Sequence, residues 1–137
     1  MHSTLIQIRF SDIDTLNHIN NAKFPTFMEI GRIQYFKDVV AGTHNWKDTG
    51  VLVANYTMDF KIPIYLNDVL SIETEVTALG TKSLTFSYRF VVEGDSGPIV
   101  KATGTSVMVC FHYIDQRSIP VPDLWRERIN AYQGSDF

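Results

Sequence analysis

Two aspartates and a histidine fall within seven residues in Asp12-Ile13-Asp14-Thr15-Leu16-Asn17-His18, and Ile19-Asn20-Asn21 leads from them into an apolar stretch with helical spacing. A helix N-terminus presents free backbone N–H groups and positive potential, which polarise a carbonyl and hold an oxyanion. A carboxylate opposite that end can act as a nucleophile or as a base towards water. The same residue types also serve structure: Asp12 and Asp14 can cap turns while Asn20 or Asn21 caps the helix. Spacing alone leaves both readings open.

Other chemistry-bearing residues are sparse. Cys110, the single cysteine, lies in an alternating run and reads as a packing residue, and His112 two positions later reads as a coincidental neighbour. His2 and His44 fall in what read as terminus and loop. There is no Cys/His cluster at metal-ligand spacing, no P-loop, no Gly-x-Gly-x-x-Gly and no Gly-x-Ser-x-Gly. Glu29 and Arg32 stand one helical turn apart and are expected to pair.

The elements that must position the acidic run follow from periodicity. Leu5 to Phe10 alternates and predicts a strand. From Ala22 to Val40 the period changes: Phe24, Phe27, Met28, Gly31 and Tyr35 form a helical stripe, and Ile30, Ile33, Phe36, Val39 and Val40 widen it. Pro25 is tolerable in the first turn, and so wide an apolar surface predicts a helix buried on most sides. A loop from Ala41-Gly42 to about Gly50 precedes alternating strands in which Leu52, Ala54, Tyr56, Met58, Phe60 and Ile62, then Leu70, Ile72, Thr74, Val76 and Ala78, then Leu84, Phe86, Tyr88, Phe90 and Val92 share faces. Leu79-Gly80-Thr81-Lys82 and Glu93 to Pro98 read as hairpin connections, Ile99 to Tyr113 as a last long strand, and Leu124 to Tyr132 as a short helix capped by Asp123. The expected fold class is α+β, one helix clasped by a curved antiparallel sheet of about five strands in a single domain over residues 1–137.

Composition narrows the function classes. With 45% hydrophobic and 20% charged residues, the 137-residue chain has the make-up of one folded globule. A net charge of −3 without a basic block speaks against nucleic acid. No apolar run approaches the roughly 18 residues of a membrane span, and strand-like alternation begins almost at the first residue, unlike a signal peptide. One cysteine fits a reducing compartment, so a soluble cytoplasmic protein is expected.

The run Asp12 to Asn21, continued by Ala22-Lys23-Phe24 and Glu29-Ile30-Gly31-Arg32, resembles the signature of the hotdog-fold acyl-CoA thioesterases, the 4-hydroxybenzoyl-CoA thioesterase family. The order of elements is similar to that family from Ile6 to about Leu124. The resemblance implies hydrolysis of an acyl-CoA thioester to a carboxylic acid and coenzyme A, with no metal and no cofactor beyond the coenzyme A of the substrate. By motif position it makes Asp14 the catalytic carboxylate, Asn21 the backbone N–H donor to the thioester carbonyl, and His18 an orienting group; Asp12 becomes the structural partner, and Glu29 the reserve carboxylate. Asn17 stands where a glycine is frequent, and asparagine tolerates the left-handed turn expected there. Lys82 and Ser83 fall where some relatives contact the nucleotide end of coenzyme A, although the arginine pair of certain relatives is absent.

The resemblance also implies a homodimer or homotetramer with active sites between subunits, and long edge strands such as that near Leu52 need cover. Phe24, Phe27, Met28 and Tyr56 are the expected lining of an acyl tunnel, short enough to favour short, medium or aromatic acyl groups. Three alternatives stay open. An acyl carrier protein substrate is disfavoured by the lack of a basic cluster. A hydratase or dehydratase would want its His and acid around the acyl chain, and a non-catalytic acyl-binding module would have no use for Asp14.

Overall fold

The computed structural model describes residues 1–40 and 45–137; His44 and the start of the expected 41–50 loop lie outside the described residues. Strand β1 (His2–Ile6) leads through a 3-10 turn (Phe10–Asp12) and a second one (Asn21–Lys23) into helix α1 (Phe24–Tyr35), which ends in a wider π turn (Phe36–Val40). Strands β2 (Thr49–Phe60), β3 (Leu70–Leu79), β4 (Ser83–Gly94) and β5 (Gly97–His112) follow, then the two-residue β6 (Arg117–Ser118) and helix α2 (Asp123–Gln133). The sheet order is β1-β3-β4-β5-β2, antiparallel at every pairing, with β6 added to β5.

The helical stripe is where its spacing put it. Phe24, Phe27, Met28, Gly31 and Tyr35 are buried against the sheet, and Pro25 sits in the first turn. Gly31 allows the close approach: a Cβ there would stand 3.0 Å from both Ile72 Cγ2 and Thr74 Oγ1. The expectation of a helix buried on most sides fails, however. Glu29, Ile30, Ile33 and Lys37 are exposed, because they lie on the face of the helix turned away from the sheet.

Three bulges bend the sheet and re-aim its side chains. The β2–β5 register shifts at Ala54, the β3–β4 register at Thr77, and the β4–β5 register at Lys101 of β5. Consequently Leu52 and Ala78 do not share faces with the sets the alternation assigned them. Val51 and Val53, opposite buried Cys110 and Met108, take the inner face that Tyr56, Met58 and Phe60 hold beyond the bulge. The Gln133 side-chain amide of α2 satisfies the backbone beside the second bulge: its Nε2 donates to the Val76 carbonyl and its Oε1 accepts from the Val76 N–H, each at 2.8 Å. The same Oε1 accepts the Tyr35 hydroxyl at 2.6 Å.

β1 lies earlier than the Leu5–Phe10 alternation suggested. Its partner β3 begins at Leu70, which pairs with Ile6, so residues beyond Ile6 have no strand to join and Phe10 is exposed. His2 belongs to this strand and is no loose terminus: it is buried, with Nε2 2.7 Å from Asp38 Oδ2.

Candidate active site

The loop between β1 and α1 is organised by Asp12, whose side chain is closed to solvent. Its Oδ2 accepts the Arg9 backbone N–H at 2.8 Å, and Arg9 Nη2 donates to Oδ1 at 3.1 Å. Burial pushes the Asp12 carboxyl up, but the Arg9 hydrogen bonds and the charges of Arg9 and Lys23 outweigh it and leave the group below the usual carboxylate range. The Asp12 carbonyl accepts the Asn20 N–H at 2.9 Å, which ties the start of the loop to the start of the helix. Asp12 is thus a sealed carboxylate whose two oxygens are both engaged by Arg9.

Between these ties the chain makes a small hairpin. Ile13 bridges Ile19, the Asp14 N–H donates to the His18 carbonyl at 2.9 Å, and the Asn17 N–H to the Asp14 carbonyl at 3.1 Å. Asn17 has φ 69°, the left-handed conformation expected of it. The hairpin is moored to the segment before β3, since the Ile19 N–H donates to Ile64 and His18 bridges Tyr65.

Asp14 therefore stands on a constrained loop while its side chain stays reachable, at 31% exposure. One oxygen, Oδ1, accepts the Leu16 N–H at 2.8 Å. The other faces His18 Nδ1 at 3.7 Å, beyond hydrogen-bond length. His18 is 27% exposed and meets the Tyr65 ring edge-on, the centroids 6.2 Å apart. Tyr65, itself exposed, escaped the sequence reading because nothing in its spacing links it to the acidic run.

Asn20 is the cap: its Oδ1 accepts the Ala22 N–H, and its carbonyl accepts the Lys23 N–H, both at 2.9 Å. The Phe24 N–H is taken by the Asn21 carbonyl. That leaves the N–H of Asn21, first residue of the turn, without an acceptor among the described residues, as expected of the opening positions of a helix.

The other candidates are placed differently. Glu29 and Arg32 form no ion pair: Glu29 is exposed on α1, whereas Arg32 turns inward and donates to the Tyr88 hydroxyl at 3.2 Å. Phe24, Phe27 and Met28 are buried core and Tyr56 is exposed on β2; none lines the cavity of about 690 Å³ between α1 and the β2–β5 half of the sheet. Its walls include Arg32, Ile33, Phe36, Val53 and Met108. Lys82 is exposed in the β3–β4 hairpin with Nζ 3.4 Å from Ser118 Oγ, and Ser83 opens β4. Both lie at the far end of β3 from the Asp14 loop, roughly 30 Å of strand away, so a single chain does not bring them to Asp14.

Cys110 is buried, and burial pushes its thiol up to about 12, which fits packing. His112 accepts the Asp115 N–H in the turn after β5. Among the described residues, no group of His, Cys, Asp and Glu is arranged to hold a metal ion, and no helix is long and apolar enough to cross a membrane.

One long helix clasped by a curved antiparallel sheet, with a short C-terminal helix, is the layout of the hotdog fold. Residues 8–129 match the model of the thioesterase-like superfamily, and the chain belongs to that family. Over 129 residues it is 24% identical to the long-chain acyl-CoA thioesterase FadM of Escherichia coli (strain K12), covering 92% of this chain and 95% of FadM. To YsmA of Bacillus subtilis (strain 168) it is 32% identical over 83 residues, 61% of this chain and only 56% of YsmA. The crystal structure of a Thermus thermophilus thioesterase complexed with coenzyme A and Zn has a TM-score of 0.83 and 30% identity, covering 98% of this chain and 96% of that one. The reaction class is thioester hydrolysis.

Proposed function

We propose that the chain hydrolyses acyl-CoA thioesters with Asp14 as the reacting carboxylate. The observation that carries this reading is the Asp14 side chain: one oxygen is fixed by the Leu16 N–H, the other stays open towards His18, and the helix start with its free Asn21 N–H follows on the same moored loop. The Asn21 N–H polarises the thioester carbonyl and holds the oxyanion as it forms. Asp14 attacks the carbonyl carbon, expelling the coenzyme A thiolate and leaving a mixed anhydride for water to open, or it takes a proton from the water that attacks. In both routes the negative charge of Asp14 is indispensable, and His18 orients that carboxylate.

The working unit on this reading is a homodimer or a homotetramer built from it. β2 pairs with β5 along one edge only, and Leu52, Val53, Tyr56 and Phe60 stand exposed along its 12 residues. A long apolar edge of this kind pairs with a second copy or aggregates. Sedimentation at micromolar concentration is expected to give a dimer or tetramer, and a monomer overturns the two-subunit site. Free thiol release tests the reaction, with acyl-CoAs expected to turn over faster than the matching acyl carrier protein thioesters. Release from none of them defeats the proposal.

A further inference from the structure

Arg32 is buried, with only 7% exposure, yet no carboxylate of the described residues lies within 4.0 Å of it. A guanidinium never loses its charge in a protein, so its burial without a counter-charge is unfavourable unless something else compensates. What the fold supplies is a prop. Nη1 donates to the Tyr88 hydroxyl at 3.2 Å, and that hydroxyl lies 2.7 Å from Ser106 Oγ. Arginine only donates, so Tyr88 accepts from it, and the Tyr88 and Ser106 hydroxyls share one further hydrogen bond. Tyr88 and Ser106 are themselves buried on neighbouring strands, which fixes the guanidinium in one orientation.

The remaining Arg32 nitrogens are not sealed in the protein, and the residue lines the 690 Å³ cavity. Ile33, Phe36, Val40, Val53 and Met108 supply an apolar wall. Glu29 and Lys37 also border the cavity, but both are exposed, where water screens them. A cavity of this size, mostly apolar with one fixed cationic fork, has the make-up of a site for a small ligand with an apolar body and a planar anionic end.

We propose that Arg32 is the anion receptor of this cavity and takes a carboxylate carried on an apolar chain. Tyr88 and Ser106 are its positioning residues. Two sources supply that chemistry: the carboxylate of the acid product, or a second carboxylate at the far end of the acyl group. Only the choice between them rests on the thioesterase reading; the receptor itself does not.

Calorimetry on the full-length protein with octanoate and octanol tests the receptor without any turnover. Octanoate is expected to bind at least tenfold more tightly, Arg32→Met to abolish the difference, and Tyr88→Phe, which removes only the prop, to reduce it several-fold. Equal binding of the two probes by the wild type overturns the proposal, and so does a preference that survives in Arg32→Met. If Arg32→Met does not fold, the wild-type preference and its loss in Tyr88→Phe decide. Thiol release then separates the sources. A tenfold preference in kcat/KM for 7-carboxyheptanoyl-CoA over octanoyl-CoA, lost in Arg32→Met, assigns Arg32 to the distal carboxylate. Competitive inhibition by octanoate without that preference assigns it to the product. Octanoate binding with no thiol released from any acyl-CoA defeats the acyl-CoA reading and leaves the receptor standing.

Discussion

Asp14→Asn is expected to lower kcat/KM for acyl-CoA hydrolysis by about 10²–10⁴-fold, the range of a lost acid–base or nucleophilic group. The amide keeps an oxygen to accept the Leu16 N–H, so the loop and the melting temperature should stay as they are. What disappears is the charge that a nucleophile and a base both require. His18→Ala should fall between this variant and the wild type, because the imidazole faces the Asp14 oxygen at 3.7 Å without bonding to it. Near-wild-type hydrolysis by Asp14→Asn together with inactivity of Glu29→Gln would transfer the role to the helix carboxylate.

Asp12→Ala should act on the fold. The substitution removes the acceptor of the Arg9 backbone and guanidinium bonds, a loss of about 1.5–3 kcal/mol for hydrogen bonds to a charged group. The pH dependence has a definite sign. The Asp12 carboxyl titrates below its ordinary value in the folded chain, so its contribution is complete above the unfolded carboxyl range near about pH 4. It fades as pH falls through the lower, folded value. Thermal melts should therefore show a constant gap between wild type and Asp12→Ala from neutral pH to about pH 5, narrowing towards pH 3. A gap that widens on acidification contradicts the assignment of Asp12 as a paired anion. Turnover in the folded fraction should change far less than in Asp14→Asn.

The helix and the inner face of β4 were legible because burial there repeats with one uninterrupted period: all of Leu84, Phe86, Tyr88, Phe90 and Val92 are buried. Bulges break that logic. At Ala54 and Thr77 an extra residue shifts the face of everything beyond it, while the run of apolar and polar letters continues unchanged. The acidic run marks the candidate loop and motif position gives its two aspartates different expected roles; the contacts show one carboxylate sealed and the other open. Arg32, a charge one turn from Glu29, reads as half of a surface pair, whereas it is buried. Its place at i+4 from Met28, on the buried stripe, was the signal that it turns inward. The distance from Lys82 to the Asp14 loop depends on strand direction, which no local pattern encodes.

The Gln133 amide, clamped on Val76 and Tyr35, also bears on how the chain is made. A ribosome releases α1 early, when the sheet that covers it does not yet exist, and strand β1 must wait for β3 before it can pair. The last polar groups beside the β3 bulge find their partner only when the final turn of α2 emerges, 57 residues after Val76. Closure of this fold therefore waits until α2 has emerged. Until then the nascent chain carries its most apolar helix uncovered, a hazard that falls to the cell's holding machinery to contain.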